Sequence, residues 1–96
     1  MGRDDVLRML GEQKARLEGF HVRSLSVFGS VARDEATAAS DVDILVEFDR
    51  PVGLLHFIRL RRFLEEVVGR KVDLVTPGAL RERMKAQVLS EAIRAA

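Results

Sequence analysis

The apolar positions of the chain fall into two rhythms. Over Leu54 to Val68, Leu54, Phe57, Ile58, Leu60, Leu64, Val67 and Val68 recur at helical spacing, and Arg61 with Glu65 and Arg62 with Glu66 form i,i+4 pairs, which together predict a helix. Gly69 predicts its C-terminal cap. Arg3 to Phe20 follows the same period through Val6, Leu7, Leu10, Ala15 and Leu17, with Asp4 and Asp5 in a first turn where the helix dipole favours anions. Gly11 weakens the middle of that helix and Gly19 predicts its end. Pro77 and Gly78 make a turn into a final helix carrying Leu80, Met84, Val88, Leu89 and Ile93. The second rhythm is alternation: His21 to Phe28, Asp41 to Glu47 and Lys71 to Thr76 read as strands, and Ser30 to Glu35 as a short helix with Ser30 at its N-cap. Helices alternating with strands predict an α/β (α+β) arrangement, a small mixed β-sheet of three or four strands covered by helices.

Length and composition narrow the picture. With 96 residues the expectation is one domain, 1–96, with a single core and no second lobe to grip a large substrate, so the substrate binds largely at the surface. Because 47% of residues are hydrophobic and 32% charged, with no long uncharged run, neither a membrane span nor a signal peptide is expected, and the predicted location is the cytoplasm. The absence of cysteine removes disulfides, thiolate metal sites and thiol nucleophiles. Sixteen basic residues against 15 acidic ones leave a net charge of +1, and the five aromatics are all Phe, so neither a basic field nor stacking platforms point to direct nucleic-acid binding. Arg59, Arg61 and Arg62, with Arg81, Arg83 and Lys85, are interleaved by Glu65, Glu66 and Glu82 and read as a solvated or protein-facing surface. His21 and His56 lack the neighbours a metal site or triad needs, and Phe48, Phe57 and Phe63 read as core.

The chemistry gathers between Val27 and Val46. On a strand, Asp41 and Asp43 share one face, roughly 6 to 7 Å apart, while Val42 and Ile44 face the core. Asp is disfavoured in strands, and two carboxylates so placed repel unless a cation lies between them, which predicts a Mg²⁺ site. Upstream, Leu25, Val27 and Phe28 end at Gly29 and Ser30, a tight turn whose backbone N–H groups beside a helix start suit a phosphate.

Gly29, Ser30 and Arg33 spell GSxxxR; Ser40, Asp41 and Asp43 spell SDxD; and Val72, Asp73 and Leu74 place a third carboxylate between apolar residues on a later strand. This ordered combination resembles the minimal nucleotidyltransferases, a branch of the DNA polymerase β-like nucleotidyltransferase superfamily, over nearly the whole chain. The resemblance implies the nucleotidyltransferase fold and assigns Gly29 and Ser30 to the triphosphate, Asp41 and Asp43 to two Mg²⁺ ions, and Asp73 to the catalytic metal and to deprotonation of the acceptor hydroxyl. Arg33 matches a basic position that could meet phosphate charge; an exposed helix arginine is the alternative. At Asp34 many relatives carry a small residue, usually Gly, so the chain adds negative charge near the triphosphate and weaker nucleotide affinity is expected.

The expected activity is transfer of AMP from ATP to a protein hydroxyl with release of pyrophosphate. The resemblance further implies a partner encoded nearby, a HEPN-domain ribonuclease toxin modified on tyrosine, with this chain as antitoxin. Two alternatives stand beside it: a binding module that neutralises the toxin by occlusion, and a small-molecule nucleotidyltransferase served by a separate substrate subunit. A homo- or hetero-oligomer is compatible with either.

Overall fold

Four strands, β1 (Val22–Phe28), β2 (Val42–Phe48), β3 (Val72–Val75) and β4 (Ile93–Arg94), form one sheet in the order β3-β2-β1-β4 in a computed structural model that describes residues 2–96. β1 runs antiparallel to both β2 and β4, and β2 runs parallel to β3, so the sheet is mixed as expected. Leu25 pairs with Val46 and Val27 with Ile44 across β1 and β2, and Ile44 with Leu74 across β2 and β3. These residues share the face on which the core is built; Leu25, Val27, Val42, Ile44 and Val46 are all fully buried. The alternate residues of β2 and β3, Asp43 and Asp73 among them, turn to the other face.

The helices that cover the core face are α1 (Arg3–Gly11), α2 (Lys14–Gly19) and α4 (Leu54–Val68). The boundaries of α4 match the sequence expectation: Gly53 is its N-cap, Gly69 closes it at φ 67° with its N–H donating to the Glu65 carbonyl, and Leu60, Leu64 and Val68 are buried. Its i,i+4 ion pairs do not close among the described residues; Glu65 instead accepts the Val72 N–H at 3.0 Å, tying the helix to β3.

The single helix expected over Arg3 to Phe20 is broken at Glu12 and Gln13 into α1 and α2. The break falls just after Gly11, where the backbone of Ala95 passes close: a Cβ there would stand 3.1 Å from the Ala95 carbonyl. The break re-aims the second helix so that Leu17 joins Val6 and Leu10 in the core, whereas Ala15 stays exposed.

The final helix is also shorter than expected. Pro77–Ala79 makes one 3-10 turn, α5 runs Glu82–Glu91, and Ile93 belongs to β4, paired with Val27. Ala92 is extended, which turns the chain onto the sheet edge, where Ala95 N–H donates to the Leu25 carbonyl and Leu25 N–H to that of Ala96. Of the apolar residues assigned to that helix only Val88 is buried, and Met84 and Leu89 are exposed. At the end of the sheet away from Asp43, Phe48, Phe57 and Phe63 are partly buried against the core, and His56 bonds the Phe20 carbonyl at 2.6 Å, a structural role.

Candidate active site

β1 delivers the chain to Gly29, whose φ of 72° lies in the left-handed region that favours glycine. Space demands glycine as well: a Cβ there would fall 2.1 Å from Oδ2 of Asp43. The short helix α3 begins at Gly29 itself, with Phe28 as its N-cap, and ends at Ala32; the expected span Ser30 to Glu35 and the capping role of Ser30 are both corrected. The Ser30 hydroxyl makes no hydrogen bond among the described residues. Asp34 at φ 59° ends the turn, with Glu35 N–H closing back on the Ser30 carbonyl. Val31 and Ala32 anchor this turn in the core.

Asp43 and Asp73 are register partners on adjacent parallel strands, so their Cα atoms sit side by side at about 4.8 Å strand spacing and their side chains share a face. Phe28, one residue before the turn, pairs with Asp43 on the other side. Asp41 lies one residue before β2 rather than within it, exposed, on the same side as Asp43. Partial burial raises the pKa of Asp43 above the ordinary carboxylate value, the charges of Asp73 and Asp41 raise it further, Arg33 opposes them and Glu91 adds to them. Arg33 is thus set against the three carboxylates, Asp73, Asp41 and Glu91, that raise the Asp43 pKa. Among the described residues no three His, Cys, Asp or Glu side chains close on a common point that could hold a metal ion. The carboxylates lie on an open face: Asp41 and Asp73 are exposed, and two hollows in the surface lie between α2 and Arg94 and beneath Pro51 to Leu54.

The roles of two residues of this site escaped the sequence reading. Glu91, the last residue of α5, accepts the Gly29 N–H on Oε1 at 3.0 Å and pairs with Arg33 through both oxygens at 3.3 and 3.2 Å. That hydrogen bond, with the Glu91 and Glu35 charges, raises the Arg33 pKa further. A carboxylate at a helix C-terminus opposes the helix dipole, and this local disagreement was the available signal. Arg70, between α4 and β3, donates from Nη2 to the carbonyls of Thr37 and Ser40 and so fixes the loop that leads into Asp41. Its Nε is buried without a partner, and it makes no ion pair with Asp73.

Residues 8–95 match the nucleotidyltransferase domain family. The chain belongs to that family. Protein adenylyltransferase MntA of Thermococcus cleftensis is 42% identical over 91 residues, covering 94% of this chain and 92% of the relative. A solved structure assigned as a minimal nucleotidyltransferase superposes with a TM-score of 0.83 at 36% identity, covering 97% of this chain and 95% of that one. The fold is shared, at a TM-score of 0.66 and 17% identity over 94% of this chain and 71% of the other, with a chain of the complex between tri-AMPylated Shewanella oneidensis HEPN toxin and MNT antitoxin. This minimal nucleotidyltransferase is accordingly an enzyme of the transferase class, with the fold that its pattern predicted. No helix among its described residues is long and apolar enough to cross a membrane.

Proposed function

We propose that this nucleotidyltransferase is a Mg²⁺-dependent protein adenylyltransferase of the cytoplasm that moves AMP from ATP to a tyrosine hydroxyl of a HEPN-domain ribonuclease and thereby acts as its antitoxin. The observation that carries the reading is the in-register Asp43–Asp73 pair facing the Gly29 turn, in a chain akin to a named protein adenylyltransferase. The donor set fits a hard divalent cation, since it offers only oxygens, and both the partial burial and the neighbouring carboxylates that raise the pKa of Asp43 are offset by positive charge. Mg²⁺ is commonly held by one or two carboxylates together with substrate phosphates, which suits carboxylates that do not close into a cage by themselves.

Asp41, Asp43 and Asp73 would hold the ion pair, whose chemistry is to neutralise charge on the attacking and leaving oxygens. The Gly29 N–H, the Ser30 hydroxyl and Arg33 bind phosphate oxygens. Asp73 takes the proton of the acceptor hydroxyl; the acceptor oxygen forms its bond to the α-phosphorus as the bond to the bridging oxygen breaks, and pyrophosphate leaves. The open face supports an acceptor presented by another folded chain.

The test is transfer from α-labelled ATP with Mg²⁺, run with and without the protein encoded beside this one. Label on that neighbour, lost in Asp41→Ala, is the expected result. A stable complex without label would instead support neutralisation by occlusion, a reading favoured by one observation, the occupation of the Gly29 turn by Glu91. Label on a small molecule alone would move the acceptor out of the protein class.

A further inference from the structure

Resting on the nucleotidyltransferase reading, we infer that Glu91 is a built-in competitor of the triphosphate, holding the phosphate position of the Gly29 turn and Arg33 until a nucleotide displaces it, so that this one side chain sets nucleotide affinity. The donors it uses are the donors a phosphate would need: the Gly29 N–H at 3.0 Å on Oε1, and Arg33 Nη1 at 3.3 and 3.2 Å on its two oxygens. A carboxylate and the terminal face of a phosphate present similar acceptor pairs to a backbone N–H and a guanidinium, so the two exclude each other. The Glu91 side chain is 20% exposed and comes from a residue 62 positions away from Gly29, so no local turn requires the contact.

Its hold is also contested. Glu91 closes α5, where the carbonyl end of the helix dipole repels an anion, and it stands near Asp43. The helix that carries it is lightly seated, with Val88 its one buried residue and Met84 and Leu89 half exposed at 50% and 49%. An incoming phosphate with its cation displaces a side chain carried on such a helix and answers the charge surplus that Glu91 deepens.

Isothermal titration of Mg²⁺·ATP into the wild-type chain, Glu91→Gln and Glu91→Ala tests this. Both variants are expected to bind at least about tenfold more tightly, because a charge-assisted hydrogen bond no longer has to be broken. If Glu91 merely buttresses the turn, both bind more weakly or equally and the inference is overturned. In the wild type, NMR with Mg²⁺·AMP-PNP is expected to move the Gly29 amide and to shift the Glu91 carboxyl toward its solvent value; a Glu91 carboxyl that stays in place overturns the inference without any variant having to fold. Wild type and variants that all fail to bind overturn the proposed ATP-dependent adenylyl transfer with it, whereas wild-type binding with unimproved variants overturns the role of Glu91 alone.

Discussion

Asp43 is the residue where folding and chemistry disagree. Its pKa is raised, so its protonated form is the one the fold prefers, and stability conferred by that proton is lost as pH rises through the raised value. In chelator at neutral pH, Asp43→Asn is therefore expected to melt higher than wild type by calorimetry, while transfer falls roughly a hundredfold or more. A lower melting temperature would show that the carboxylates do not strain the fold. Asp34 carries a second lesson. In the sequence it reads as an unwelcome charge near the triphosphate; in the structure its φ of 59° is the larger matter, and it accounts for the suitability of glycine there. Asp34→Gly is expected to add up to about 1 kcal/mol in urea unfolding and Asp34→Val to remove at least as much, because a β-branched residue is strained at positive φ. The alternation of side chains made the shared face of Asp41 and Asp43 legible, whereas backbone sign at Asp34 leaves no trace in polarity.

At the level of elements, legibility followed length and periodicity. The 15-residue α4, with its stripe and its glycine cap, was readable to the residue. The two-residue β4 has no period to detect, and Ile93 fell in with helical spacing that continued past Ala92 by coincidence. The break between α1 and α2 falls beside Ala95, whose approach to Gly11 joins segments distant in sequence. The loop before β2 is likewise held from afar, by Arg70 on the carbonyls of Thr37 and Ser40. If that clamp positions Asp41, Arg70→Ala raises the Mg²⁺ concentration for half-maximal transfer severalfold and Arg70→Lys restores part of it. An unchanged Mg²⁺ titration, with only a lowered melting temperature, would confine Arg70 to stability.

For the molecule as a whole, the strand order was the part the sequence concealed, since pairing is decided by contacts between distant segments. The same holds for Glu91, which meets Gly29 from 62 residues away where α5 packs beside α3. Between Asp43 and Asp73 the chain leaves along β2, returns through α4, about 22 Å of helix, and lays β3 down in phase. That return path behaves as a ruler. A single-residue slip carried from between Gly69 and Val72 into β3 would present its wrong side, burying a carboxylate and exposing an aliphatic, so the phase of β3 matters for a reason unrelated to which residues touch substrate. Past β3, around Pro77 to Leu80, no such measure applies, and there the scaffold is free to lengthen or diverge without detuning its carboxylates.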